Sequence, residues 1–479
     1  MGLINWASIT FSILLSVTTA GHALFNKRTP SSALGWVAVC LVFPLLGPVF
    51  YFFFGVNRVQ TRARKLEDQH QAFQLDLREY SHAVGLAAIN PSDLGLANAH
   101  LQIARISEKV TGLPLVGGNR IDPLHNGEIA YPAMLEAIAS ARKRLFLTTY
   151  ILDTTATGRQ FIDALADAVN RGVDVRVIID GIGELHSLTR AGAKLIKKGV
   201  RVARFLPPRL IPPAIHINLR NHRKLLIADG QLAFTGGMNI GDRHLADNIE
   251  NPSRVIDIHF RLTGPIVMQL ERTFIEDWAF CTGEQIIPLP CLPVKQGSAV
   301  CRAILDGPNE DINKLATILI GAISSARERI LILTPYFLPS TEMESVLKIA
   351  ALRGVDVRIV LPGKNNLPFI QWAANRMLPY LLARGVKIYF HPPPFVHSKL
   401  LVIDDVYAQI GSANMDPRSL RLNFELVVEI FDTHLVQALA DHISEKIINA
   451  SEANTDAFVN RSFPAKIRDA LAWLFSPYL

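Results

Sequence analysis

An internal duplication covers most of this chain and constrains its fold more than any other feature. Residues 137–147, AIASARKRLFL, return as residues 322–332, AISSARERILI, and the segment RGVDVR follows in both copies. In each copy an alanine-rich amphipathic stretch precedes a β-branched run, and this order then repeats. Such alternation is typical of α/β architecture, with helices packed on a mixed, largely parallel sheet. The chain is therefore predicted to contain two tandem α/β domains, residues 112–300 and 301–479.

Each copy also contains an HxKxxxxD motif followed at the same spacing by GxxN. These motifs consist of His222, Lys224, Asp229 and Asn239 in the first copy and His397, Lys399, Asp404 and Asn414 in the second. On a strand the His and Lys of HxK lie on one face, because side chains alternate with period two. A lone HxK is more often part of a core, but two copies with identical spacing argue against that interpretation. Brought face to face, they would place two imidazoles and two cations around one anionic phosphodiester.

The duplicated motif resembles that of the phospholipase D superfamily, and the resemblance extends from about residue 112 to the C-terminus. It implies two phospholipase D-like domains and a covalent phosphohistidine. One of His222 and His397 would attack phosphorus and the other would protonate the leaving alcohol, with His222 favoured as the nucleophile. The lysines and asparagines would hold the phosphoryl oxygens, so neither a metal nor another cofactor is implied. Asp229 and Asp404 belong to the catalytic motifs, but we expect them to tie strand to turn.

Each catalytic imidazole needs an acceptor for its second ring nitrogen. Glu425 resembles the carboxylate partner that the family provides for His397, and Asp257 is the corresponding candidate for His222. A solvated charge at a strand edge is the alternative for both carboxylates. Ser412, within the second GxxN segment, is expected to donate a hydrogen bond to phosphate. The first copy has glycine at that place.

The first 58 residues are predicted to form a two-helix transmembrane hairpin. Residues 3–25 and 32–54 carry no formal charge, and at about 1.5 Å per residue each run can cross a hydrocarbon layer of about 30 Å. A cleaved signal peptide and a pair of buried core helices are the alternatives. The first lacks a basic n-region and is followed at once by a second apolar run, which argues against a signal peptide. The uncharged length of both runs argues against core helices.

Three further segments leave more room for interpretation. Residues 59–111 are charged and alanine-rich and are predicted to form a helical linker. The proline-rich residues 207–217 either dip into a bilayer or form a plain surface loop. Residues 465–479 combine apolar and basic side chains, so they either lie on a membrane or dock as a helix on the second domain. The four cysteines form no Cys/His cluster, and neither a metal site nor a disulfide is expected.

The substrate class follows from the membrane anchor and from a finer resemblance. A net charge of +7 suits an anionic partner, either nucleic acid or an acidic membrane surface. A nuclease has no need of a lipid anchor. Residues 32–57, 334–337 and 418–425 resemble bacterial cardiolipin synthases, which implies transfer of a phosphatidyl group from one phosphatidylglycerol to another with release of glycerol.

The same resemblance implies the cell membrane of a bacterium as the location. Basic residues are more numerous after the second apolar run than in the turn between the runs. The positive-inside rule therefore places the catalytic domains on the cytoplasmic face of a multi-pass protein. Water or phosphatidylethanolamine as acceptor would use the same pocket, and a membrane-tethered nuclease is a third interpretation. The pattern gives no oligomeric state.

Overall fold

The computed structural model describes residues 2–27, 30–55, 88–187, 189–208, 219–287, 294–307 and 314–476. They divide into two compact units, Met1–Arg62 and Ala63–Leu479. Each unit is described by itself. Residues 56–87, which include most of the predicted linker, and residues 209–218 of the proline-rich segment lie outside the described part of the chain.

The first unit contains helix α1 (Gly2–Asn26), helix α2 (Pro30–Val42), helix α3 (Leu46–Phe50) and a single π turn (Tyr51–Gly55). Helix α1 matches the first predicted run, and its residues Ser8–Asn26 are the only described segment long and apolar enough to cross a membrane as one helix. The prediction of a continuous second helix is wrong. The chain turns after α2 at Pro44, which lacks a backbone N–H and cannot extend the helix. The structure thus supports one spanning helix, and the second span stays a prediction.

Close packing and a few polar contacts join α1 to the segment that follows it. Ala23 is buried in α1, and the small side chain lets the neighbouring backbone approach. The hydroxyl of Ser16 donates a hydrogen bond to the carbonyl of Cys40. His22 Nδ1 lies 2.9 Å from the hydroxyl of Tyr51. Helix α2 therefore lies against α1, and the segment after Pro44 turns back along it, since Tyr51 contacts both His22 and Trp36.

The second unit consists of two halves with corresponding elements. The first half and the segment before it contain β1 (Ala88–Ile89), α4 (Asn98–Thr111), β2 (Leu115–His125), α5 (Asn126–Ser140), β3 (Arg144–Thr149), α6 (Ala156–Asn170), β4 (Asp174–Asp180), α7 (Ala191–Lys197), β5 (Arg201–Phe205), β6 (Leu225–Ala228), β7 (Leu232–Gly236), β8 (Val255–Ile256), β9 (Ile258–Thr263) and α8 (Ile266–Thr282). Short 3₁₀ turns occur at Pro91–Leu94, Gly183–His186 and Asp242–His244.

The second half contains β10 (Ala299–Asp306), α9 (Lys314–Ser325), β11 (Arg329–Leu333), α10 (Thr341–Leu352), β12 (Asp356–Pro362), α11 (Pro368–Asn375), α12 (Leu378–Leu382), β13 (Lys387–His391), β14 (Phe395–Val396), β15 (Leu400–Ile403), β16 (Tyr407–Gly411), α13 (Pro417–Arg421), β17 (Glu425–Phe431), α14 (Thr433–Ile448), β18 (Ser451–Glu452), α15 (Thr455–Val459) and α16 (Phe463–Leu474).

One 16-stranded sheet runs through both halves of the second unit. Outward from the central antiparallel pair β2–β10, the first half has the order β2-β9-β7-β6-β3-β4-β5 and the second has β10-β17-β16-β15-β11-β12-β13. The two orders correspond strand by strand, so the sequence duplication is also a duplication of structure. A single buried cluster includes Phe146 and Phe274 from the first half and Val428 from the second. The shared core holds the two halves together as one compact unit.

The predicted mixed α/β class is confirmed, but the expectation of a largely parallel sheet is wrong. Within the sheet, only the pairs β3–β4, β4–β5, β11–β12 and β12–β13 of the described strands are parallel. The reason lies in the HxKxxxxD motif itself. Its final aspartate, Asp229 or Asp404, adopts a positive φ that reverses the chain. The strands on either side, β6 and β7 or β15 and β16, therefore pair as antiparallel hairpins.

The described part of the predicted linker belongs to the core of the second half. Ile103 and Ala104 of α4 are fully buried with side chains of α9. Ser107 donates to Glu429 over 2.7 Å, and Arg302 donates to the Ala104 carbonyl over 2.9 Å. The first predicted domain boundary follows residue 111. It therefore places α4 outside both predicted domains, although α4 packs on the second half. The second predicted boundary, after residue 300, falls inside β10.

Candidate active site

The two motif histidines lie where short backbone segments of one half pair with segments of the other. Strand β14, just before His397, pairs in parallel with β8 of the first half, and the His397 amide donates to the Ile256 carbonyl over 2.8 Å. Equivalently, Asn221 forms a parallel bridge with Phe424, and the His222 amide donates to the Phe424 carbonyl over 2.9 Å. Each HxK segment is thus held against the other half of the molecule.

The backbone pairing between the halves reverses the predicted pairing of histidines with carboxylates. His222 Nδ1 lies 3.1 Å from Glu425 Oε2, and His397 Nδ1 lies 2.8 Å from Asp257 Oδ2. The expectation that Glu425 serves His397 and Asp257 serves His222 is therefore wrong. Since each HxK segment pairs with the opposite half, the nearest carboxylate belongs to that half. Both histidines keep Nε2 for the reacting phosphorus or the leaving oxygen.

Different groups hold the two orienting carboxylates. Glu425 accepts hydrogen bonds from the Ser412 hydroxyl (2.5 Å) and from Asn423 Nδ2 (3.1 Å). The Ser412 oxygen in turn accepts from the Leu426 amide, so this buried hydroxyl orients Glu425 instead of donating to phosphate, which corrects the prediction. At Gly237, the equivalent position, a Cβ atom would lie 2.6 Å from Asp257 Oδ1. Asp257 therefore needs a glycine there.

The two motif lysines are buried cations. The exposed fraction is 2% for Lys224 and 6% for Lys399, and each Nζ donates to the carbonyl of its own motif histidine, over 2.7 and 2.5 Å. Burial lowers the pKa of Lys224 to about 7 and that of Lys399 to about 8. A phosphodiester anion beside them would favour their charged forms and so be bound more tightly when both are protonated.

Burial favours the neutral form of both imidazoles before substrate binds. Burial lowers the pKa of His222, although Glu425 opposes part of this effect. Burial and the charges of Lys399 and Lys224 hold the pKa of His397 well below its usual range. Glu425 is also buried, which raises its pKa, but the contacts with His222 and Lys224 outweigh this and leave the pKa lowered. An ionised Glu425 therefore faces a neutral imidazole that is able to attack phosphorus.

The two motif asparagines are held differently. Asn239 Oδ1 accepts from the Ile151 amide (3.3 Å), and its carbonyl accepts from the Tyr131 hydroxyl (2.8 Å). Its Nδ2 has no hydrogen-bond acceptor within the described part of the chain and is available as a donor. Asn414 Nδ2 instead donates to the Ser419 hydroxyl (3.1 Å). The geometry thus favours Asn239 over Asn414 as a phosphate donor.

The motif aspartates act on the backbone, as predicted. Asp229 accepts hydrogen bonds from three successive amides, those of Arg142, Lys143 and Arg144. Asp404 accepts from the equivalent amides of residues 327–329 and from His100 of α4. These bonds attach the turn after each HxK strand to the start of the neighbouring antiparallel strand, β3 or β11. Neither aspartate is a catalytic group, although both belong to the motif.

Two side chains near the histidines were not predicted. The Tyr150 ring packs edge-on against His222 with centroids 5.2 Å apart, and Lys224 Nζ lies 5.5 Å from the Tyr150 centroid. The His244 ring lies 6.0 Å from that of His397, and its Nε2 accepts from the Asn239 amide over 3.3 Å. Tyr150 directly follows a parallel strand, where functional side chains often lie, so its position was a usable signal. His244 has no such signal.

The lysine titrations predict a pH profile for kcat/KM toward an anionic phosphodiester. Both ammonium groups are charged at low pH, so kcat/KM should fall as pH rises through 7 to 8, the pKa values of Lys224 and Lys399. The acid limb, set by protonation of the nucleophilic His, should lie below pH 6.5, because burial lowers the pKa of His222 from that value. Initial rates at constant ionic strength test this. The variant Lys399→Arg should lose the upper step, and a wild-type profile flat to pH 9 would contradict the assignment.

Comparison with known proteins matches nearly the whole chain. The family model described as "Cardiolipin synthase, PLD-like domain" matches residues 134–278 and 319–447, once in each half. The model described as "Phospholipase_D-nuclease N-terminal" matches residues 14–55. The cardiolipin synthase of Geobacillus kaustophilus is 32% identical over 98% of this chain and 94% of its own length. That of Alkalihalophilus pseudofirmus is 33% identical over 99% and 95%.

A solved structure shares the fold of the second unit. The phosphatidylserine synthase of Haemophilus influenzae Rd KW20 has a TM-score of 0.61 and 15% sequence identity, covering 79% of this chain and 100% of the other. At this identity the likeness concerns the fold alone.

Proposed function

The chain belongs to the cardiolipin synthase family of phospholipase D-like proteins, and we propose that it transfers a phosphatidyl group from one phosphatidylglycerol to another, releasing glycerol. The observation that carries this proposal is the crossed pairing of His222 with Glu425 and of His397 with Asp257. Since each half orients the histidine of the other, the two motifs make one reaction centre. One centre with two histidines suits two successive displacements at the same phosphorus.

In the first displacement, His222 Nε2 attacks the phosphorus of the donor lipid. The bound phosphodiester anion and Asp257 favour the protonated form of His397. The N–P bond forms as the bond between phosphorus and the glycerol oxygen breaks, and protonated His397 gives its proton to that oxygen. Glu425 accepts the Nδ1 proton of His222 in a hydrogen bond and stabilises the charge that develops on the ring. Lys224, Lys399 and Asn239 offset the charge on the phosphoryl oxygens.

In the second displacement, the terminal hydroxyl of another phosphatidylglycerol attacks the same phosphorus. Neutral His397 takes the hydroxyl proton, the P–N bond breaks, and His222 is regenerated. A hydroxyl bound beside the intermediate has a high effective concentration, so it outcompetes water although water is abundant. The direction of transfer depends on concentrations, because each step exchanges one alcohol for another.

The resemblance favours His222 as the nucleophile, and the carboxylates support this choice. Glu425, beside His222, is held by both Ser412 and Asn423. Asp257, beside His397, accepts from the Ile258 amide over 2.8 Å. A carboxylate held in place stabilises the reaction more when it lies next to the ring that forms the covalent bond, since that ring carries the charge of the intermediate.

The protein is associated with a membrane through its N-terminal unit. Within this proposal, helix α1 spans the bilayer as the anchor, and the catalytic unit lies on the cytoplasmic face. The basic residues that follow residue 57 support that orientation. Phosphatidylglycerol in the same leaflet would then supply both donor and acceptor.

Incubation with phosphatidylglycerol as the only lipid tests the function. Cardiolipin and free glycerol should appear in equal amounts, with phosphatidic acid as a minor product, because bound acceptor outcompetes water. Excess glycerol should reverse the reaction. The His222→Ala protein is the matched control for contaminating activity. Dominant phosphatidic acid at high phosphatidylglycerol would show a hydrolase, and a new product on adding phosphatidylethanolamine would show a different acceptor.

A further inference from the structure

The C-terminal helix α16 docks on the second half through few side chains and leaves a broad apolar face exposed. Ala472 and Asp469 are buried where α16 packs against α11, and the Arg468 guanidinium lies 4.6 Å from the Trp372 centroid. The exposed large side chains on this helix and directly after it are Phe463, Ile467, Leu471, Trp473, Leu474 and Phe475. The docking alternative for this segment is therefore confirmed, and the membrane alternative stays a prediction. The docked helix still presents a surface typical of membrane-binding helices.

The charge around this face is positive. Residues 363–376, which include α11, contain Lys364 and Arg376 and no acidic residue. Residues 461–476 contain three basic residues and a single acidic one, Asp469. Asp469 is 4% exposed and binds Arg461 over 2.5 Å and Arg468 over 2.7 Å, so it offers no free negative charge. An apolar face bordered by cations complements an anionic lipid surface.

The same face begins beside the catalytic pocket. The His397 ring lies 6.0 Å from that of Phe395, which lies 6.2 Å from Tyr336. The Tyr336 hydroxyl donates to Asn366 Oδ1 over 2.8 Å. Asn366 is exposed and precedes α11, whose Phe369 is also exposed. A continuous path of contacts therefore joins a catalytic histidine to the start of the apolar surface.

An apolar groove lies along the exposed sides of α11 and α16, beside their contact. It has a volume of about 470 Å³ and is lined by side chains such as Phe369, Trp372, Ile467 and Leu471. The Phe369 and Phe475 rings, 6.0 Å apart, meet across it. The groove is open to the surface and its lining is mostly apolar, so an acyl chain or the upper part of a leaflet fits its chemistry.

We propose that α16 and α11 form a second membrane contact that docks on an anionic bilayer and sets the catalytic pocket at the depth of the lipid phosphates. The inference rests on the proposed phospholipid substrate. A phosphate can reach His222 and His397 while its acyl chains stay in the leaflet only if the surface next to the pocket faces lipid. The contacts from His397 through Phe395 and Tyr336 connect this exposed apolar face to the pocket.

A depth measurement on the full-length protein tests the contact without relying on the membrane anchor. In a protein whose native cysteines are replaced, Leu471→Cys carries an environment-sensitive fluorophore. In vesicles of phosphatidylcholine with phosphatidylglycerol, quenchers attached to the upper acyl chain should reduce its emission several-fold. The matched control is Leu352→Cys at the end of α10. Leu352 is 66% exposed and Leu471 is 54% exposed. Leu352 precedes β12, whereas α11 follows that strand, so Leu352 lies at the end of the strand away from the docking surface. The emission of this control should not change.

Activity provides the second arm. The variant Leu471→Glu/Leu474→Glu should lose at least 10-fold in transfer of phosphatidylglycerol within vesicles, yet stay within 2-fold on short-chain phosphatidylglycerol in detergent. Leu352→Glu should match the wild type in both assays. Unquenched fluorophore at residue 471 would overturn the proposal and indicate coverage by protein, such as the N-terminal unit. Equal losses in both assays would also overturn it. A wild-type protein inactive on both lipids would instead refute the proposed function.

Discussion

Replacing either His222 or His397 with alanine should lower phosphatidyl transfer by on the order of 10⁴-fold or more, as expected when a nucleophile or its acid–base partner is removed. The reason is that the two halves form one centre, in which each histidine depends on a carboxylate of the other half. If each half had its own centre, either variant would keep about half of the activity. The double variant should be no less active than the more damaged single variant.

The measurement is the rate of cardiolipin formation by purified protein in mixed micelles. Unfolding midpoints close to the wild-type value serve as the control for folding. A lipid with a good leaving group, such as a p-nitrophenyl ester of phosphatidic acid, separates the two roles. His397→Ala should still release p-nitrophenolate in one burst, since that anion needs no proton, whereas His222→Ala should not. A burst in His222→Ala alone would exchange the assignments.

Removing the charge of the crossed carboxylates should have the next largest effect. Glu425→Gln and Asp257→Asn should each reduce kcat on the order of 10³-fold, because an amide no longer stabilises a positively charged imidazole or fixes its tautomer. Each substitution should affect the histidine that belongs to the other half. Glu425→Gln, in the second half, should change the reactivity of His222, and Asp257→Asn, in the first half, should change that of His397.

Carbethoxylation of each histidine, followed by peptide mass spectrometry, measures this crossing directly. The matched control is Glu429→Gln, a buried glutamate on the same strand that pairs with Arg302 over 2.7 Å. It should lower stability and leave the modification rates of His222 and His397 unchanged. If Glu425→Gln altered His397 and left His222 untouched, each half would orient its own histidine and the crossed arrangement would not hold in solution.

Local patterns in the sequence were sufficient for the duplication, the motif residues and the first apolar helix. Repeated segments such as residues 137–147 and 322–332 contain their own periodicity, and HxKxxxxD specifies a strand that ends in a turn at Asp229 or Asp404. These features depend on neighbouring residues. The backbone partners of the two aspartates do not, since the amides that Asp229 binds lie 85 to 87 residues earlier in the chain.

Contacts between distant residues could not be predicted in the same way. Glu425 follows the second motif in the chain, so proximity in sequence assigns it to His397, but the pairings of β14 with β8 and of Asn221 with Phe424 assign it to His222. The role of Ser412 changes for the same reason, since its acceptor is Glu425 and not phosphate. The strand directions and the burial of α4 on the second half likewise depend on which surfaces meet.

The amino-acid sequence by itself therefore determined which groups carry the chemistry, because residue type and spacing along a strand are local properties. Only the tertiary structure decided which groups act together. A repeated sequence is compatible with each half orienting its own histidine or that of the other half, since both arrangements satisfy the same pattern. Packing the halves through β2 and β10 into one sheet brings each HxK segment against the opposite carboxylate. The free energy of that shared core, absent from either repeat alone, selects the crossed arrangement.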